Sequence, residues 1–435
     1  MVYYANDGLF YDLTTKIKEG GEGIVYEISN NPEIVAKIFK ERDRSRDLKV
    51  EALSKLPWSD EVRKYLVLPK AALYEDSDKK ILRGYIMERV EYTSTLAEVY
   101  SESNPLSIYK KACVAEKLCE AVIAVHDEGN IVIGDFNSKN IMVDRTSGNI
   151  KIIDTDSLHM CVKKDGIEKR FPCVALDPIL FMPEILNAFQ FQKVKRLDEI
   201  EGETFTKYTD YYCLAYHIHM LLMAQKPFGA AMDRSDIDNS VPAPTAKSMA
   251  CRGQYAYVNL PARTSLPRIY PSFDILTPRL QDLFIKAFKD GASDPTKRPT
   301  ADDFLSALKE YTAGLRYCLC KGFDHYLYKG YKSHHCEWCR VESEKHQERK
   351  IAAEDLYWMT EDELLHLIDV TSFLSLKSRV YLELGQRYSG NLKKGIRANA
   401  NIHKAKRYYK KALHIAKKNK NKSLEEAIKK LLRNM

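Results

Sequence analysis

Three oxygen-bearing side chains constrain this chain more than anything else in it: Asp135 and Asn140 in G-D-F-N-S-K-N-I-M-V-D (134–144), and Asp154 near the end of I-K-I-I-D-T-D (150–156). A carboxylate beside a transferred phosphate can accept a hydroxyl proton, while an amide oxygen and a second carboxylate can hold hard cations between phosphate oxygens. Such chemistry needs all three oxygens in one place. The fold must therefore bring the two stretches together.

At 435 residues the chain exceeds what one hydrophobic core usually serves, so two or three domains are expected. The segment M-V-Y-Y-A-N-D-G lacks a basic stretch followed by an apolar core, and no run of about 18 apolar residues occurs; a cytoplasmic location is the default expectation. Cys113, Cys119, Cys161, Cys173, Cys213 and Cys251 are scattered without paired spacing, as reduced buried thiols would be. The net charge of +8 is unevenly spread: residues 393–435 hold 15 Lys or Arg against two Glu, which puts +13 there and leaves −5 on the remainder.

Residues 15–40 alternate in strand fashion around a glycine turn and run into E-I-V-A-K-I-F-K, predicting a hairpin that feeds a third strand, and 81–90 reads as a buried strand. Residues 43–56 carry Leu48, Leu53 and Leu56 in a helical pattern. Residues 107–127 put Ala112, Ala115, Leu118, Val122 and Val125 on one stripe of an amphipathic helix, and 210–224 is apolar nearly all round, as a central buried helix would be. A proline-rich stretch (231–272) is irregular, helices resume at 278–290 and 300–312, and the first domain closes near residue 313.

These parts, in this order, resemble the eukaryotic-like Ser/Thr protein kinase superfamily over roughly 300 residues. The resemblance implies an α+β bilobal fold, with a β-rich N-lobe at 1–88 and a helical C-lobe at 89–313, and the use of ATP with magnesium or manganese. It implies that Gly20, Gly21 and Gly23 cover the phosphates, that Lys37 contacts them with Glu51 as its helix partner, and that Met87, Glu88 and Val90 form the hinge at adenine. Val25, Ala36 and Met142 would also line the nucleotide site. Asp135 takes the catalytic-base position, Asn140 and Asp154 the metal positions, and Asp156 an auxiliary one. Pro183 and Glu184 resemble the end of the activation segment, with Arg298 as the basic partner of Glu184, and Asp210 to Phe228 matches the central-helix pattern.

Departures from that pattern are informative. Ile133 and Gly134 stand where His-Arg usually precedes the catalytic Asp, Asn137 replaces a lysine near the γ-phosphate for which Lys139 is a substitute, and Lys18 replaces the first glycine of the loop. Without the arginine, a phosphate on the activation segment lacks its usual cationic partner, and residues 158–184 contain no Ser, Thr or Tyr. Activation independent of phosphorylation in that segment is expected. A catalytic loop I-G-D-x-N-x-x-N with D-x-D is similar to a divergent group of bacterial kinase-like proteins, several with C-terminal zinc and helical modules.

Cys318 and Cys320, then Cys336 and Cys339, form two thiol pairs spaced like a zinc ribbon over 316–342. The ligands would be Cys320, Cys336 and Cys339 with Cys318 or His325 as the fourth; the family resemblance implies the His325 version, a closed structural zinc site. In 351–435, Tyr381, Leu384, Gly385 and Tyr388, then Ala405, Tyr409 and Ala412, fit the two helices of a tetratricopeptide repeat, which cannot bury its face alone and should pack on 361–369, on 423–433 or on the kinase domain. Its lysines would take an acidic protein partner, acidic lipid or, less favoured for want of a base-reading fold, nucleic acid. The leading expectation is a Ser/Thr kinase; the alternatives are a nucleotide-binding pseudokinase scaffold and a kinase for a small molecule, since no peptide-positioning threonine is visible.

Overall fold

The computed structural model describes the chain except residues 93, 101–105, 165–166, 174–179, 181, 192–196, 201–204, 233–243, 318–324, 332–335, 345–355, 371–373, 391–397 and 419–420. Six strands build the small lobe: β1 (Val2–Ala5), β2 (Phe10–Glu19), β3 (Gly23–Ile28), β4 (Asn31–Phe39), β5 (Ala71–Tyr74) and β6 (Leu82–Glu88). They pair in the order β1-β2-β3-β4-β6-β5, and β1 also pairs with β5, closing a barrel. Successive side chains of a strand point to opposite faces. In β4, Ala36 packs inside the barrel with Leu73 and Ile86, whereas Val35 and Phe39 join a second cluster with Val50, Tyr85 and Met87. Lys37 shares the face of Val35 and Phe39. Gly84 is needed opposite Ile38, because a Cβ there would stand 1.9 Å from the Lys37 carbonyl oxygen.

Helix α1 (Arg44–Leu53), capped by the Asp43 carboxylate, turns Lys49, Val50 and Leu53 inward. Leu48 is exposed rather than buried with Leu53, five positions away and so about 140° around the helix. Two short helices, α2 (Asp60–Tyr65) and α3 (Leu96–Tyr100), lead to α4 (Ile108–Asp127), which buries Ala112, Ala115, Leu118, Val122 and Val125 as its periodicity predicts. Short strands follow: β7 (Ser94–Thr95) pairs with β9 (Ile141–Val143) and β9 with β10 (Ile150–Ile152), while β8 (Ile131–Val132) pairs with β11 (His159–Lys164) and β11 with β12 (Ile167–Phe171). Beyond α5 (Pro183–Phe191), the buried helix α6 (Lys207–Met223), entered through a Thr206 capping box, packs against α4. Helices α7 (Ala246–Cys251), α8 (Pro278–Ile285) and α9 (Ala301–Gly314) complete the large lobe.

After α9, a hairpin pairs Leu315–Tyr317 with Tyr326–Tyr328 and leads to α10 (Glu337–Glu344). Tyr326, Cys336 and Trp338 belong to the same core cluster as α4 and α6. Glu337 accepts from Ser272 N (2.6 Å), and Arg340 donates to the carbonyls of Arg268 and Tyr270 (2.7 Å each). This segment thus rests on the large lobe and does not build a core of its own. In the tail, α11 (Glu361–Val370) packs Leu364 and Leu367 with Val380 and Leu384 of α12 (Leu374–Ser389). Tyr388 packs with Ala405, Tyr409 and Ala412 of α13 (Ile402–Lys418) and Ile428 of α14 (Lys422–Arg433). Among the described residues no helix is long and apolar enough to cross a membrane.

Candidate active site

One buried carboxylate sets the loop that carries Asp135. Asp210, fully buried in the first turn of α6, accepts hydrogen bonds from Ile133 N (2.7 Å), Gly134 N (3.0 Å) and His126 Nε2 (2.9 Å). Gly134 adopts φ +72°, and a Cβ there would lie 2.9 Å from Cys173 Cβ. The arginine usual at this position therefore has neither the backbone conformation nor the room it needs.

Just beyond lie the three expected residues, Asp135, Asn140 and Asp154. Asn140 Nδ2 donates to Asp135 Oδ2 (3.2 Å), and the Asn140 carbonyl accepts from Ile153 N (2.8 Å), placing Asp154 next to it. Asp135 is 8% exposed. Asp154 holds φ 57°, a left-handed conformation that costs a non-glycine residue about 1–2 kcal/mol. The turn is pinned on both sides: Thr155 Oγ1 donates to Val67 O (2.7 Å) and Ser157 Oγ to Asp154 O (2.9 Å). Two hard oxygens, from Asn140 and Asp154, are the donor set magnesium prefers, and Asp154 already faces a positive charge, Lys37 Nζ at 3.0 Å. The site fits the metal.

Lys37 is nearly buried, and its ammonium lies between Asp154 Oδ1 (3.0 Å) and Asp156, whose two oxygens stand at 2.9 and 3.2 Å. Burial works against its charge, but Asp156 and Asp154 outweigh that and hold it well above the ordinary lysine range. Asp156 in turn is held below the usual carboxylate range despite its own burial, by Lys37 and by Tyr85. Glu51, the expected helix partner, is a correction: it accepts from the Tyr74 hydroxyl (2.7 Å). The inward-facing charge of α1 is instead Lys49, which donates to Pro172 O (3.2 Å) and which burial pushes down to about 8. Helix phase explains the miss, since Lys49 lies beside the buried Val50 and one turn before Leu53.

The nucleotide-lining expectations need a second correction. Ala36 faces the barrel interior, and Val35 occupies the cleft-side cluster where Val25, Val90, Met87 and Ile153 also pack. Strand alternation counted from Lys37 could have found it. Glu88 closes β6 and pairs with Lys151 of β10 (2.9 Å), tying the lobes together beside the hinge. Met142 lies half-buried on the face of β9 opposite Ile141 and Val143. Gly20 N donates to Gly23 O (2.9 Å) in the turn between β2 and β3; a side chain at Gly21 would meet nothing within 4 Å, whereas one at Gly23 would strike Ile38 O at 2.8 Å. Lys139 donates its backbone N–H to Asn137 Oδ1 (2.9 Å).

The segment after Asp156 is tied down by backbone pairing. His159 and Met160 of β11 pair with Val132 and Ile131, and β12 folds back on β11 from Met160↔Phe171 to Lys164↔Ile167. Glu184 receives two hydrogen bonds from Arg298 (2.7 Å each), and the guanidinium also donates to the carbonyls of Gly291 (2.9 Å) and Tyr208 (2.8 Å).

A second cluster lies at α10. His325 Nδ1 is 3.7 Å from Cys336 Sγ and 3.4 Å from Cys339 Sγ. A tetrahedral zinc with Zn–S of about 2.3 Å and Zn–N of about 2.0 Å puts such atoms about 3.6 Å apart, so these three ligands fit zinc. Cys318 and Cys320 lie outside the described residues.

A barrel-lobed fold joined to a helical lobe, with a lysine, an amide and two carboxylates near their junction, is the architecture of the protein kinase fold. Residues 11–308 match the protein kinase domain family, and the chain belongs to it. It is similar to the protein kinase YegI of Escherichia coli strain K12, 24% identical over 359 residues, covering 78% of this chain and 50% of the relative. The O157:H7 protein of the same name is 25% identical over 347 residues, covering 76% and 48%. The chain thus spans about half the length of these curated relatives.

Proposed function

We propose that this chain is an ATP- and magnesium-dependent protein kinase that phosphorylates Ser or Thr hydroxyls without needing a phosphate on its activation segment. The observation that carries this reading is the network linking Asp135, Asn140, Asp154 and Lys37. Asp135 would accept the proton of the attacking hydroxyl as the γ-phosphorus bond forms and ADP leaves; Lys37 would hold phosphate oxygens; Asn140 and Asp154 would hold magnesium, which neutralises charge on the phosphates. Backbone pairing of β11 with β8 and β12 supports independence from phosphorylation, because the segment has an ordering force other than charge pairing.

In this reading residues 1–313 are the kinase domain, 316–342 a structural zinc module held by Cys336, Cys339, His325 and Cys320, and 351–435 a tetratricopeptide-like region that recruits protein partners. Tyr381, His403, Lys406, Arg407, Lys410 and His414 line a basic depression on α12 and α13 suited to an acidic partner. Incubation with labelled ATP and magnesium, alongside nucleotide affinity, tests the enzyme. Transfer to protein Ser or Thr that is lost in Asp135→Asn and Asp154→Ala supports it; binding without transfer would make the chain a scaffold, and transfer only to an added metabolite a small-molecule kinase. A required phosphate found by mass spectrometry between Asp154 and Glu184 would overturn the activation claim.

A further inference from the structure

We propose, resting on the kinase reading above, that Asp156 is the positioning residue for Lys37, in place of a carboxylate from helix α1. An ammonium group has three N–H donors. Lys37 spends them on two carboxylates that differ sharply in setting. Asp154, whose side chain is 44% exposed, lies at the metal position; the Asp156 side chain is 3% exposed. A third group fixes Asp156: the Tyr85 hydroxyl donates to its Oδ1 at 3.0 Å. Tyr85 is the cross-strand partner of Lys37 in the β4–β6 ladder, so both donors reach Asp156 from neighbouring strands.

The consequence follows from which bond a metal would replace. A cation on Asp154 competes with Lys37 for that carboxylate and releases one N–H for a phosphate oxygen, while the bond to Asp156 stays. Helix α1 offers no substitute, because Glu51 is bonded to Tyr74 and the buried charge it turns inward, Lys49, is itself a cation. Asp156 rides instead on the turn after β10, which Thr155 Oγ1 fastens to Val67 O and Val67 N to Ile152 O (2.9 Å).

The test uses the full chain in two measurements. One is the rate at which Lys37 is acylated by an N-hydroxysuccinimide ester without nucleotide, followed by mass spectrometry. The other is magnesium–ATP affinity by calorimetry. Asp156→Asn should speed acylation severalfold, since Nζ loses the buried carboxylate oxygens at 2.9 and 3.2 Å that hold it away from solvent, and weaken magnesium–ATP about tenfold. Glu51→Gln should leave both within about twofold. Equal effects from the two variants, or unchanged acylation in Asp156→Asn, would overturn the assignment. If wild-type protein binds no magnesium–ATP, the kinase reading fails while acylation still decides what holds Lys37. Should Asp156→Asn not fold, Glu51→Gln decides alone: acylation within about twofold of wild type supports the assignment, and severalfold faster acylation overturns it.

Discussion

The cleft and the His–Cys corner both gather metal-binding side chains, over opposite distances in the chain. Lys37 meets Asp154 across 117 positions, whereas His325 and Cys339 are 14 apart. Closing a long loop on a few polar contacts is unfavourable by itself, so the cleft exists only because two hydrophobic lobes have already formed. The corner is short enough for metal binding to organise it. Damage to the cleft should remove chemistry and spare the fold; damage to the corner should do the reverse.

The largest effect expected on that contrast is Asp154→Ala. Its side chain is half-exposed and, among the described residues, is bonded to Lys37, so phosphoryl transfer should fall on the order of a thousandfold while the melting temperature stays within about 2 °C. Labelled-ATP turnover and a thermal melt check both halves; a large drop in melting temperature would break the contrast. Next, Cys339→Ser or a strong chelator should release about one zinc per chain and lower the melting temperature by about 5 °C or more, because α10 shares the core of the large lobe. Metal analysis beside the melt reads this, with Asp154→Ala keeping its zinc.

A smaller effect concerns Lys49, which sharpens the comparison within the cleft because, unlike Lys37, it is buried without a carboxylate bonded to it. Burial lowers it from 10.5 to about 8, against partial compensation by Cys173, Asp156 and Glu22. Between those values the unfolded chain holds a proton that the folded chain has released, so stability gains from this group as pH rises from about 8 to 10.5, by at most roughly 3 kcal/mol. Denaturant unfolding of wild type and Lys49→Met at pH 7 and pH 10 isolates it: the advantage of the variant should shrink at the higher pH. The smallest effect on turnover is expected from the tail: Lys410→Glu with Lys411→Glu on α13 should leave ATP turnover within about twofold while weakening an acidic partner.

Much of this molecule is legible in local sequence periodicity. The stripe of α4, the all-round burial of α6 and the spacing of Asp135 to Asn140 each depend on neighbours a few residues away. The Glu184–Arg298 pair was legible for another reason, family resemblance. What escaped depended on phase or on distant pairing. Ala36 was placed on the wrong face of β4 by one residue, and Glu51 on the wrong side of α1 by half a turn, because a single polar residue among apolar ones does not announce which way it points. Closure of the barrel by β1 and the clamp on Asp156 by Tyr85 join strands far apart in sequence, and no local pattern signals either.

That closure has a bearing on how other molecules can grip the small lobe. A sheet whose first strand is stitched to β5 presents no row of unpaired amides and carbonyls, so a visiting peptide cannot dock by extending it as one more strand. Anything that recognises this lobe must read its side chains.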